Sequence, residues 1–99
     1  MVVGTLVCDL LLGDVRSLKD KRAVVRPVVA ELRRRYEVAA AETGALDLRR
    51  RAEVSVAVLA STHAHVVEVL DSCERFVAGR PEVELLAVRR RLLDDDDLT

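Results

Sequence analysis

A chain of 99 residues has room for one hydrophobic core. Its 51% hydrophobic content and formal charge of -1 exclude a disordered or collagen-like polymer, and no run approaches the roughly 18 apolar residues of a membrane span. The core has to be built from Val, Leu and Ala, because the sequence holds one Tyr, one Phe and no Trp, Ile, Asn or Gln.

Residues 2–12 alternate as a strand does, with Val2, Leu6, Cys8, Leu10 and Leu12 on one face and Thr5 and Asp9 on the other. Gly13 and Asp14 end it, and Ser17 follows as an N-cap with Asp20 as the acid of a capping box. A helix is predicted over 18–35, its core stripe running through Leu18, Val25, Val28, Val29, Leu32 and on to Tyr36. Pro27 lies inside it and predicts a kink, not an end, since the apolar period keeps its phase.

Residues 36–43 are ambiguous. Alanine and glutamate favour a longer helix, while Tyr36, Val38 and Ala40 alternate. A strand is the better reading, because the remaining strands would otherwise lack a partner. A turn over 44–51 leads to a second clear strand through Val54, Val56, Val58 and Ala60. Ser61 or Thr62 then caps a helix whose Val66, Val69, Leu70, Cys73, Phe76 and Val77 keep helical spacing. Gly79 and Pro81 stop that helix, and residues 82–91 make the last strand.

The order is β-α-β-β-α-β, an α+β ferredoxin-like pattern with a four-stranded antiparallel sheet and two helices on one face. Residues 1–93 form a single domain in this reading. The open sheet face presents Thr5, Asp9, Ser55, Ala57 and Ser61. Asp94–Asp97 form an acidic tail, 94–99, expected to be unstructured and solvated. Without those four aspartates the body carries 16 basic against 13 acidic side chains, so the alternative role for the tail is to compete with an anionic ligand.

The hexapeptide Ser17-Leu18-Lys19-Asp20-Lys21-Arg22, followed by Ala23-Val24-Val25, resembles the YlxP-like family, a bacterial family of unknown function. The Val38-Ala39-Ala40-Ala41-Glu42 segment and the strand from Val54 to Ser61 extend the resemblance to about residue 90. It implies a ferredoxin-like fold. It also implies a setting near transcription elongation, translation initiation and ribosome maturation, where members' genes often lie. It brings no catalytic residues with it. Leu48 departs from the pattern, since relatives often place an aromatic before the third strand.

On a helical wheel Lys19, Arg22, Arg26 and Arg33 share an arc of about 60° beside the apolar stripe, whereas Lys21 turns toward that stripe. Such a ridge either pairs with Asp9, Asp14 or Glu42, or contacts phosphates without reading sequence. Arginine triplets at 33–35, 49–51 and 89–91 add charge, and Arg49, Arg50 and Arg51 lie in a loop, free for ligand. Base stacking on the sheet would need aromatics on the central strands, which have none. Small acyl-phosphate hydrolases of this topology use an Arg and an Asn, and the chain has no Asn.

His63 and His65 diverge by about 200° on a helix and do not form a metal site. The two cysteines read as buried hydrophobes in a reducing compartment, and the N-terminus lacks a secretory pattern. The expectation is a cytoplasmic, non-enzymatic accessory protein without cofactor or metal. It would contact RNA or the ribosome through Lys19, Lys21, Arg22, Arg26, Arg49, Arg50 and Arg51. The alternative is a homodimeric interaction module using the open sheet face or an edge strand.

Overall fold

The computed structural model describes residues 1–99. Seven elements follow one another: β1 (Val2–Leu12), α1 (Leu18–Tyr36), β2 (Ala39–Gly44), β3 (Arg51–Ala60), α2 (His63–Ala78), β4 (Val83–Leu93) and the single helical turn α3 (Asp95–Leu98). The four strands make one antiparallel sheet in the order β2-β3-β1-β4. The chain therefore adopts the expected α+β ferredoxin-like arrangement.

Strand β1 is central and alternates strictly, burying Leu6, Cys8, Leu10 and Leu12 while Thr5, Val7 and Asp9 stay half-buried on the other face. Helix α2 closes over β1 through Val66, Leu70, Cys73 and Val77. At Gly4 the approach is so close that an added Cβ would run into Val66 and come within 2.9 Å of Leu70 Cδ1.

Helix α1 starts where its cap predicts. Ser17 Oγ accepts from the Asp20 amide at 3.0 Å, and the Asp20 carboxylate accepts from the Arg16 amide at 3.2 Å. The helix continues past the exposed Pro27 and buries Val25, Val28, Val29 and Leu32. It stops at Glu37, which adopts the left-handed conformation (φ 55°) and donates its N–H to Arg33 O at 3.2 Å. This corrects the expected strand over 36–43: Tyr36 closes the helix and β2 begins at Ala39. Tyr36 packs edge-on against Phe76 of α2, with ring centroids 5.9 Å apart.

The open face carries a polar network at its centre, where Arg89 of β4 lies 3.0 Å from Glu53 and 4.0 Å from Asp9. Thr43 donates to Glu53 at 2.7 Å and shares a hydrogen bond with Ser55. Toward one end of the sheet Leu59, Val3 and Leu93 lie side by side across β3, β1 and β4. A bulge leaves Leu86 of the edge strand without a partner between Leu85 and Ala87. The acidic tail winds one turn rather than staying unstructured, because Asp94 and Asp97 form a reciprocal capping box. Asp95 accepts from the Met1 amino group at 3.2 Å. No helix is long and apolar enough to cross a membrane.

Candidate nucleic-acid interface

Lys19, Arg22 and Arg26 stand on the outer side of α1, and all three are exposed. With Ala23 and Pro27 they line a notch of about 340 Å³. None lies within 4.0 Å of a carboxylate. The acids that were candidates to neutralise the ridge are engaged elsewhere: Asp14 with Arg16 at 3.7 Å, Asp9 with Arg89, and Glu42 with Lys21. Arg33, further along the same arc, donates Nε to Ala40 O at 2.8 Å and so covers the edge of β2. Between Arg26 and Arg33 a groove of about 470 Å³ has Val25, Val29 and Ala41 among its walls.

Lys21 behaves differently from its neighbours. It is 2% exposed and is the one charged residue in the buried set. Its Nζ donates to Ala45 O at 2.6 Å and lies 2.8 Å from Glu42 Oε2. The aligned hydrogen bond goes to Ala45. Glu42 Oε2 takes no aligned bond, so its contact with Lys21 is a charge contact. The sequence grouped Lys21 with the ligand-facing cations, and the fold turns its ammonium inward, away from any surface ligand.

The Arg49–Arg51 loop comes up beside the start of α1. Arg49 Nη1 donates to Arg16 O at 3.0 Å, and Arg50 Nε donates to Leu12 O and Gly13 O, each at 3.2 Å. Arg51 opens β3 and makes no bond to another side chain. All three are exposed, and none has a carboxylate within 4.0 Å. The Arg16–Arg49 contact therefore joins the loop and the helix ridge into one basic surface. Arg16 itself escaped the sequence reading, because only tertiary contact shows that the residue before the cap meets the loop.

Most of the other two arginine triplets is taken up within the fold, Arg91 alone being exposed and unpaired beside Thr5 on the open sheet face. Arg34 pairs with Glu31 at 2.7 Å, and Arg35 lies over the rings of Tyr36 and Phe76 at 5.7 and 5.8 Å. Arg90 bridges Asp71 at 2.8 Å and Glu74 at 3.2 Å. The largest hollow, about 620 Å³, lies where β1 ends and β4 begins; its walls mix Arg50 with Glu82 and Glu84, and Glu82 pairs with Arg80 at 2.6 Å. His63 and His65 are exposed at the start of α2, where Thr62 Oγ1 accepts from the His65 amide at 3.2 Å. The acidic tail follows Leu93, which pairs with Val3, while Arg51 pairs with Leu11 at the far end of β1. Tail and basic surface thus occupy opposite ends of the sheet.

The uncharacterised protein YlxP of Bacillus subtilis (strain 168) is 26% identical over 88 residues, covering 89% of this chain and 96% of that protein. Its length matches the body of the fold. The model of a family described as "Protein of unknown function (DUF503)" matches residues 3–90, from the first strand into the last. That span takes in the capped α1 and its ridge, the Lys21–Glu42 pair and the Arg49–Arg51 loop, and the chain belongs to the DUF503 family, which carries no named enzymatic activity.

Proposed function

We propose that the protein is a non-enzymatic accessory factor that grips the phosphate backbone of RNA or of a ribonucleoprotein. The contact residues are Lys19, Arg22, Arg26, Arg49, Arg50 and Arg51. The observation that supports this is the set of exposed cations on two adjoining elements, none answered by a carboxylate. A buried or paired arginine has little to offer a phosphate, whereas these six keep free donors. Lys19 and Arg26 are separated by about 10 Å along the helix axis, enough to touch successive phosphates. Both aromatic rings lie between the helices, away from the open sheet, so the reading is of backbone and shape. The translation context implied by the family resemblance points the same way.

Fluorescence anisotropy of a labelled single-stranded RNA tests it. With about five phosphates contacted, affinity should fall about 100-fold between 50 and 200 mM salt. Arg22→Ala with Arg49→Ala should weaken binding and lower the salt slope by about 1.4. Absent binding at 50 mM salt, or binding indifferent to salt, overturns it. A second reading, self-association through the open sheet face, is favoured by the Leu59, Val3 and Leu93 row, in which Leu59 is 64% exposed. Light scattering decides that one: a dimer that Leu59→Asp dissociates supports it, and a monomer removes it.

A further inference from the structure

We propose that Lys21 is a positioning residue, a buried clamp that holds the β2–β3 loop against the start of α1 so that the cations on the two elements form one surface. The proposal rests on the phosphate-contact reading for its consequence, though the clamp itself can be tested without any ligand.

Nothing apolar holds the first half of this loop. Leu46 and Leu48 are 59% and 54% exposed, and residues 46–51 all face solvent. Beneath the loop lies a cavity of about 240 Å³ bounded by Leu18, Lys21, Arg22, Glu42, Leu46 and Asp47, so packing does not fix its height above the helix. Position must then come from polar tethers. The second half has its own, since Arg50 donates to Leu12 and Gly13 and the Leu12 amide donates to Arg50 O at 2.8 Å. In the first half the buried tether is Lys21.

Its acceptor is informative. Ala45 has φ 56°, a left-handed conformation that a residue with a Cβ adopts reluctantly. Its carbonyl receives two donors, Lys21 Nζ at 2.6 Å and the Leu48 amide at 3.1 Å. The ammonium therefore stabilises the turn that launches residues 46–49 toward Arg16. Glu42 supplies a counter-charge beside the buried Nζ, its Oε2 lying 2.8 Å away. Lys19 and Arg22 flank this clamp from the helix and Arg49 from the loop, so movement at Ala45 changes the spacing between the two groups.

Lys21→Met keeps most of the stem and removes both charge and donor. Amide exchange of the ligand-free protein should show the Leu48 amide exchanging at least tenfold faster, with β3 amides unchanged. RNA affinity should fall about fivefold. Glu42→Gln retains the bond to Ala45 and should leave Leu48 exchange within twofold of the parent. The double variant, relieved of an unpaired carboxylate, should regain thermal stability without regaining Leu48 protection or affinity, and it keeps the test open if Lys21→Met alone fails to fold. Unchanged Leu48 exchange in both Met variants overturns the clamp, as does a double variant that recovers affinity along with stability. If the parent protein binds no RNA, the exchange result still decides the clamp and only the phosphate reading falls.

Discussion

A charge stays in a protein interior only where both its charge and its donors are answered, and most of the informative residues here are ones the interior tolerates for a stated reason. Gly4 is another. Its missing Cβ is the space that Val66 and Leu70 occupy, so Gly4→Ala forces α2 off the sheet. A loss of about 1–3 kcal/mol is expected, measured by urea unfolding. Cys8 and Cys73 are buried on facing elements, and burial, the largest cause for both, pushes their thiols from 9.0 up to about 12 and about 11. The charge of Glu74 adds to the effect at Cys8, while Arg90 opposes it at both. The folded state thus holds these protons to higher pH than the unfolded chain does. Their contribution to stability is complete below pH 9 and is lost as pH rises through 11 to 12. Unfolding midpoints taken from pH 8 to 11 should fall, and fall less steeply in a Cys8→Ala/Cys73→Ala variant. Thiol reagents should label neither cysteine until the protein unfolds.

At the scale of elements, α1 contains one device that starts it and one that works against it. Ser17→Ala removes the cap on the Asp20 amide and should cost about 1 kcal/mol. Pro27 is exposed in the helix interior, where it lacks an N–H and crowds the carbonyl of Ala23. Pro27→Ala should therefore raise stability by about 1–3 kcal/mol in the same urea measurement. The capped start and the core stripe of α1 were legible because both are local patterns. Its end was not. Glu37 and Ala45 take the left-handed conformation usually announced by Gly or Asn, and this chain has no Asn and puts Gly at neither position. The strand after α1 consequently begins three residues later than the alternation from Tyr36 suggests. The candidate site divides in the same way. The wheel separated Lys21 from the ridge of Lys19, Arg22 and Arg26, a helix property, but the burial of Lys21 needs Glu42 and Ala45. The engagement of Arg50 with Leu12 and Gly13 needs residues 37 and 38 positions away, which no spacing in the sequence encodes.

For the molecule as a whole, the placement of charge decides what the tail can do. Deleting residues 94–99 moves the formal charge from -1 to +3, a change that invites the reading of a tail inhibiting its own basic surface. The fold opposes an intramolecular version of this. The tail leaves the sheet beside Val3 and the loop enters it beside Leu11, eight residues apart and so about 27 Å. The tail's first turn is also held by its own capping box and by the Met1 amino group. What remains is a long-range field, and salt screens it over about 10 Å at 0.1 M but only over about 30 Å at 0.01 M. Removal of 94–99 should therefore strengthen RNA binding severalfold at 0.01 M salt and less than about twofold at 0.1 M. Anisotropy titrations of both forms at the two salt concentrations check this. A gain of tenfold or more at 0.1 M would require the aspartates to touch the cations directly, and since one copy cannot reach its own ridge, it would have to be the tail of a second copy.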